Sequence, residues 1–490
     1  YSKNEKILIA CIVSSFCLVS SLSNRSYFPA LPLIRKEFNI SDALVNMTVT
    51  VYMAFQGFSP CFWGPISDIW GRRPIYLASF IMFIGSCCGL AMVKSFSGLL
   101  ILRMIQAFSE SSCNAIGFGT IGDIATPAER ANFNNIIGST LNISMALSPI
   151  LGGLISYQLS WRWIFWFLFI LGAITWFSIL FFLPETLRSR VIVRDRNGLS
   201  EHDNSCYIPI VYWIKKMRLL LHRRNSSFSS FPRITVTNLE ANDEKTSNKH
   251  CQRRMPNFLE QILFLRYPDI SLVIISICCF ASICISLLMT TTPTHFSTIY
   301  NLNTFQIGLC YIPYAVGCIV GSFISGPALN RSFRNIALKQ QIPIEMIKSS
   351  RNIPIDFPIY RARLQGISFV IAVGQLVMIA YGWVLYVRAH LAVPLVLQFL
   401  VGLCNTPILN AGTALLIDLI PNRSASIMAV YNLVGSFIRA LAVATVEIII
   451  DHIGLGWTFT IFGLMMSISI VSIQILIKYG TKWRARRMEK

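Results

Sequence analysis

The chain has 490 residues, of which 54% are hydrophobic and only 13% charged, and its mean hydropathy is +0.58. A water-soluble domain cannot solvate that much apolar surface, so the composition excludes a soluble enzyme or nucleic-acid-binding module and predicts a polytopic membrane protein. The net charge of +20 does not read as a nucleic-acid surface, because Lys and Arg crowd into Arg188 to Arg266, Arg331 to Arg363 and Lys478 to Lys490. That is the pattern of membrane-edge loops beside anionic lipid.

Twelve apolar stretches follow, near 7–30, 44–66, 75–93, 98–122, 133–157, 163–183, 270–292, 305–328, 365–387, 391–417, 425–450 and 457–478. Each is long enough to cross a bilayer as a helix. The polar, basic segment between the sixth and seventh predicts an N-terminal bundle over 1–189, a central cytoplasmic loop over 190–262, a C-terminal bundle over 263–480 and a tail over 481–490. The intervening links on the other side carry little positive charge, which puts both termini in the cytoplasm. Within the central loop, Ile208 to Arg224 has the pattern of an interfacial amphipathic helix, although a plain tether is the simpler reading. Most of the fourteen cysteines fall inside apolar stretches, as packing residues rather than disulfides.

The first span carries Arg25, two residues before Tyr27-Phe28-Pro29-Ala30-Leu31-Pro32. Charged side chains inside spans are costly and mark a pathway or a buried pair. A guanidinium there either disfavours cations and welcomes a carboxylate or simply neutralises Glu110. After the second span comes Gly64-Pro65-Ile66-Ser67-Asp68-Ile69-Trp70-Gly71-Arg72-Arg73-Pro74, which makes spans two and three antiparallel neighbours. Its glycines permit tight turns, and Asp68 can pair with an arginine or a helix N-terminus. An ordinary positive loop needs only Arg72 and Arg73 and explains neither Asp68 nor the glycines.

In the fourth span, Arg103, Gln106, Glu110 and Asn114 fall on one helical face. Burial disfavours a charged Glu110 and Arg103 favours it, a balance suited to a proton carrier. A static Arg103–Glu110 ion pair is the alternative. In the fifth span, Pro149 interrupts a helix hydrogen bond, while Ser144, Ser148, Gly152 and Gly153 let a neighbouring helix approach closely. Further candidates for a substrate cavity are Gln56, His295, Tyr311, Tyr314, Asn405 and Asn410, with Asn432, Ser436, Arg439 and Glu447 along one face of the eleventh span. No clustered His/Cys ligands, HExxH, GxSxG or phosphate-binding Gly-Lys-Ser/Thr motif is present, so no metal, cofactor or ATP-driven chemistry is expected.

The two halves repeat each other. Gly64-Pro65, Asp68 and Arg72 recur as Gly326-Pro327, Asn330 and Arg334 at a constant offset, Asp123 is echoed by Asp418, and Trp161 by Trp457. Two parallel six-helix repeats imply two bundles facing across a central cavity with a substrate site near the midplane.

With these landmarks, and with Pro184-Glu185-Thr186-Leu187-Arg188 and Asp356 to Leu364, the chain resembles the major facilitator superfamily and, within it, the fungal twelve-spanner drug:proton antiporters. The resemblance implies an all-α fold of twelve transmembrane helices in two six-helix bundles, and proton-coupled export of a small organic molecule by alternating access. It implies that Arg103 serves proton coupling, that Ser144 to Gly153 form a partly kept antiporter motif, and that Gly64, Asp68, Gly71, Arg72 and Arg73 form a cytoplasmic gate. Asp68 would there meet the N-terminus of the eleventh span, with Arg130 as another partner. Asn330 predicts a weaker latch in the second half.

Arg25, Glu110 and Arg439 depart from the family pattern and point away from cationic drugs. They suit an organic anion or zwitterion such as an amino-acid-derived metabolite, a dityrosine precursor being a minor candidate. The expected partners are that small substrate, protons and membrane lipid, with no nucleic acid, for a monomer in the plasma membrane or a specialised membrane such as the prospore membrane. Uptake by symport or facilitation, and a receptor on a transporter fold, are the alternatives.

Overall fold

The computed structural model describes residues 3–124, 130–187, 263–339, 357–420 and 424–488. The expected central loop and its amphipathic helix therefore lie outside the described residues. The N-terminal half contains α1 (Lys3–Ser26), α2 (Leu31–Phe38), α3 (Asp42–Trp70), α4 (Arg72–Met92), α5 (Phe96–Glu110), α6 (Ser112–Ile124), α7 (Arg130–Gln158) and α8 (Trp161–Phe182). The C-terminal half contains α9 (Pro268–Ile299), α10 (Thr304–Leu309), α11 (Ile312–Lys339), α12 (Ile359–Leu364), α13 (Ile367–Tyr386), α14 (Ala392–Leu419), α15 (Ser424–Ile453) and α16 (Leu455–Met488). Spans four, eight and nine are each built from two consecutive helices, giving twelve crossings in two bundles of six.

Packing repeats between the halves. In the first, α1 packs on α7, α4 on α8 and α3 on α5; in the second, α9 packs on α15, α13 on α16 and α11 on α14. These are the same partnerships moved by six spans, as a parallel duplication requires. The outer faces are apolar at helical spacing: Ile170, Ile174 and Phe177 on α8, and Leu464, Ile468 and Val471 on α16, are all exposed. Only lipid can cover such stripes.

Nine helical segments are long and apolar enough to cross a membrane by length and composition among the described residues. Spans two, four and five fall short. α3 and α7 are the helices that pack on the other half, against α15 and α10 respectively. Their polar residues meet protein instead of lipid, which is where a bilayer tolerates them.

The fourth span, expected as one helix, is interrupted at Ser111. Ser109, Ser111 and Ser112 bond back to the carbonyls of Ile105, Ala107 and Ser109, at 2.7, 2.7 and 3.2 Å. Such back-bonding competes with the helix ladder. The Phe108 carbonyl is taken instead by Ser59 Oγ at 2.6 Å and Trp63 Nε1 at 3.0 Å, both from α3. The break falls directly after Glu110.

The start of α1, the end of α16, the α3–α4 turn and the described helix ends that flank residues 188–262, 340–356 and 421–423 lie at one end of the molecule, the basic end. The α1–α2, α9–α10 and α15–α16 joins lie at the far end.

Candidate functional site

α5 starts on a Ser95 cap, whose hydroxyl accepts from the Gly98 N–H at 3.2 Å, and turns Arg103, Gln106 and Glu110 inward. All three are almost fully buried, at 1%, 0% and 0% exposure. The Arg103 guanidinium lies between two tyrosine rings, 4.1 Å from the centroid of Tyr27 and 4.1 Å from that of Tyr52. It donates to Gln106 Oε1 at 2.7 Å. Tyr52 in turn donates its hydroxyl to Glu110 Oε1. Glu110 Oε2 is buried without a hydrogen bond, beside Ser23.

A static Arg103–Glu110 ion pair is therefore not what forms. The charges are two helical turns apart, and Tyr52 stands between them with its face to the cation and its hydroxyl to the carboxyl. A cation between two aromatic faces is held electrostatically without needing a carboxylate. That leaves the Glu110 carboxyl without an arginine partner, its Oε1 held by Tyr52.

Arg25, half-buried at the end of α1, donates to Ser21 Oγ at 3.1 Å. Its other neighbours come from both halves: Tyr52, and across the interface Tyr314, Cys318 and Arg439. Arg439 on α15 donates to Ser436 Oγ at 2.7 Å. Neither arginine has a carboxylate partner among the described residues. The Arg439 charge is near enough to act on Arg25, so one guanidinium from each half lies on this side of the interface. Tyr314 completes that side, its hydroxyl accepting from Asn405 Nδ2 at 3.1 Å.

At the basic end, Gly71 turns the chain with φ of 102°, a backbone shape that strains any other residue. Arg72 pairs with Asp68 at 2.7 Å and Asp123 at 3.1 Å and donates to Ser67 Oγ at 2.6 Å. The N-terminus of α4 points its free N–H groups at Glu185, which accepts from Arg72 N at 2.9 Å and Arg73 N at 3.2 Å. The same carboxylate also takes the N–H groups of Thr186 and Leu187. A carboxylate at a helix start satisfies orphan donors and the helix dipole together. Arg73 donates to the Leu180 carbonyl at 2.7 Å.

Asp68 itself remains 61% exposed, with Arg72 as its ion-pair partner. A Cβ on Gly64 or Gly326 would meet no atom within 4 Å. The side chains of Arg130, Asn114 and Asn330 lie outside the described ones, which leaves the expected Arg130 contact and the weaker second latch without a structural account.

The far end is closed tightly. A Cβ on Gly152 would lie 2.0 Å from the Ser26 carbonyl oxygen, and one on Gly153 2.5 Å from that of Thr304. Gly308 makes the reciprocal approach to the Pro149 carbonyl oxygen, at 2.6 Å. The serines of the same motif keep their hydroxyls on backbone. Ser144 donates to the Leu141 carbonyl at 2.8 Å, while Ser148 reaches the carbonyls of Ser144 and of Ser21 on α1. Serine is thus tolerated beside the glycines because its hydroxyl is spent within the seam.

Residues 13–344 match the Major Facilitator Superfamily. The chain belongs to that superfamily. Citrate exporter 1 of Aspergillus niger is 33% identical over 99% of this chain and 88% of its own length. Multidrug transporter QDR2 of Candida glabrata is 28% identical over 96% and 80%. Among solved structures, the D-xylose-proton symporter superposes with a TM-score of 0.66 at 12% identity, covering 95% of this chain and 97% of its own. The chain is a multi-pass membrane transporter of small solutes and not an enzyme.

In this superfamily member, two of the expected cavity residues hydrogen-bond within the C-terminal half. Tyr311 donates to the Met289 carbonyl at 2.9 Å, and Asn410 to Ser325 Oγ at 2.8 Å, both inside the C-terminal half. Gln56 is half-buried beside Gly57, whose Cβ would lie 2.8 Å from Ser436. Glu447 is not with Arg439. It lies two turns further on, against Asp42, Asp451, Asn46 and Arg35.

Arg334 is exposed and is not the structural counterpart of Arg72. Arg363 takes that part, pairing with Asp418 at 2.8 Å and lying 4.6 Å from the Phe333 ring centroid. Sequence reasoning missed Tyr52 and Glu185 as site residues. Glu185 stood in a fingerprint, but nothing in it signalled a cap on a helix more than a hundred positions earlier.

Proposed function

We propose that this transporter exports a small organic anion carrying carboxylate groups, in exchange for protons. The observation that carries this reading is the pair Arg25 and Arg439, one from each half, without carboxylate partners among the described residues. Leaving two guanidiniums unpaired at an interface is expensive unless a ligand supplies the negative charge. Citrate, named for the Aspergillus niger relative, has the multiple carboxylates that would bridge them.

The proton site on this reading is Glu110, gated by the Tyr52 hydroxyl and screened from Arg103 by the Tyr52 ring. The basic loops support a cytoplasmic position for the basic end on this reading. The exposed Asp68 and the open space around Gly64 and Gly326 fit a conformation that admits substrate from that side. One proton entering down about 100 mV and one pH unit supplies roughly 3.7 kcal/mol, enough for a gradient of several hundredfold.

Proteoliposomes with an imposed pH gradient and labelled citrate test the proposal. Citrate moving against the proton flux is the expected result. Arg25→Ala and Arg439→Ala should each reduce it about tenfold or more, the cost of one charge-assisted contact. Citrate moving with protons, or a cationic drug transported equally well by both variants, would overturn it.

A further inference from the structure

α3 and α15 run antiparallel across the interface of the two halves, and their contacts can be followed in order. Cys61 meets the Ala429 carbonyl, Gly57 meets Ser436, Asn46 meets Glu447, and Asp42 approaches Asp451. These last two pairs put Asp42 of one half near Glu447 and Asp451 of the other at the far end. Glu447 is 2% exposed, and its Oε1 is buried with no hydrogen-bond partner. The Asn46 amide of α3 lies beside it, its own Nδ2 buried and without a hydrogen-bond partner among the described residues.

Asp42 pairs with Arg35 of α2 at 2.9 Å, so the Arg35 guanidinium near Glu447 is spent on another carboxylate. Asp451, one turn beyond Glu447, is exposed at the rim. His295 of α9 faces Asp451, with Nε2 buried and unpartnered.

From this arrangement we propose that Glu447 is a second proton-binding carboxyl, which takes up a proton as the far end closes and releases it as that end opens. A charged Glu447 in the closed interface would meet Asp42 and Asp451 with no donor on Oε1, whereas the neutral acid meets only a lost hydrogen bond. Opening α3 from α15 would give the carboxylate water, and the charged form would then be comfortable. Proton binding and closure are therefore linked, each favouring the other by the same factor. Asp451 at the rim and Glu447 beneath it form a path by which protons from the far side reach the seam.

The direction of use rests on the export reading above: external protons would arrive after substrate release and close the emptied carrier for its return. The linkage itself does not depend on that reading.

Hydrogen–deuterium exchange of the full chain in lipid nanodiscs reads the far end directly, through the amides of 27–41 and 301–311. After correction for intrinsic exchange, those amides should become more protected between pH 8 and pH 5.5, by roughly tenfold for a tenfold difference in proton affinity between the two states. Glu447→Gln should show the acid-like protection at both pH values, and Glu447→Asp should restore the pH response. Protection that does not change with pH in the wild type, or a Glu447→Gln chain that still responds like it, would overturn the proposal. A normal pH response together with absent proton-coupled citrate flux would instead remove the export reading and leave this site standing.

Discussion

Tyr52 is the side chain on which the buried row of the N-terminal bundle turns, since one residue contacts both Arg103 and Glu110. Arg103 is held by two flat faces, so shape matters as much as charge. Arg103→Lys keeps the charge and loses the planar stack and the fixed geometry toward Gln106. Coupled flux should fall by about tenfold in proteoliposomes, the equivalent of about 1.4 kcal/mol. Tyr52→Phe keeps the stack and removes the hydroxyl from Glu110, leaving a buried carboxyl oxygen without its donor. That should cost about 1–3 kcal/mol of stability, read as a lower unfolding midpoint. Glu185→Ala strips four backbone N–H groups of their acceptor at once. A loss of about 1–2 kcal/mol is expected by the same measurement, as for removal of a helix cap.

Among the helices, α7 shows how small residues serve a moving seam. Gly152 touches the α1 backbone and Gly153 the start of α10 so closely that any side chain there displaces backbone. Gly153→Val should therefore force α7 away from α10 at the far end and abolish transport, with accessibility of a thiol probe at the far end increased. Gly64 is the informative contrast, because a methyl there meets nothing in this conformation. Gly64→Ala should leave folding and this conformation unchanged by exchange protection, while slowing transport if α3 must close on a neighbour at the basic end. The fourth span makes the complementary point. Its serines supply the break after Glu110, and α3 reclaims the freed carbonyl with Ser59 and Trp63.

Taken whole, the transporter is shut at the far end by glycine contacts between its halves, while Asp68 at the basic end is mostly in solvent. An exposed pair contributes about 0–1 kcal/mol. Asp68→Asn should then leave the unfolding midpoint of this conformation almost unmoved. If Asp68 latches the opposite conformation, the same change should still depress turnover, because it removes differential stabilisation of that state. Unchanged turnover would take Asp68 out of the gate.

The duplication is also a whole-molecule property, and it is not perfect. The same arginine–aspartate pairing recurs in the second half, but α12 supplies Arg363 for it instead of the α11 residue at the repeat offset.

The amino-acid sequence by itself determined the spans, their division into halves, the membrane as solvent and the superfamily, because each follows from local hydropathy, loop charge and short motifs. It also exposed Arg25, Arg103, Glu110 and Arg439, since a charge inside an apolar stretch needs no partner to be noticed. What it could not specify was pairing across the fold. Whether Arg103 meets Glu110 or two tyrosines, whether Glu447 faces Arg439 or Asp42, and which arginine repeats Arg72 depend on how distant helices cross. A carboxylate carries no mark of its partner in its own neighbourhood. Only the packing of α3 on α15, of α5 on α3 and of the Glu185 segment on α4 decided them.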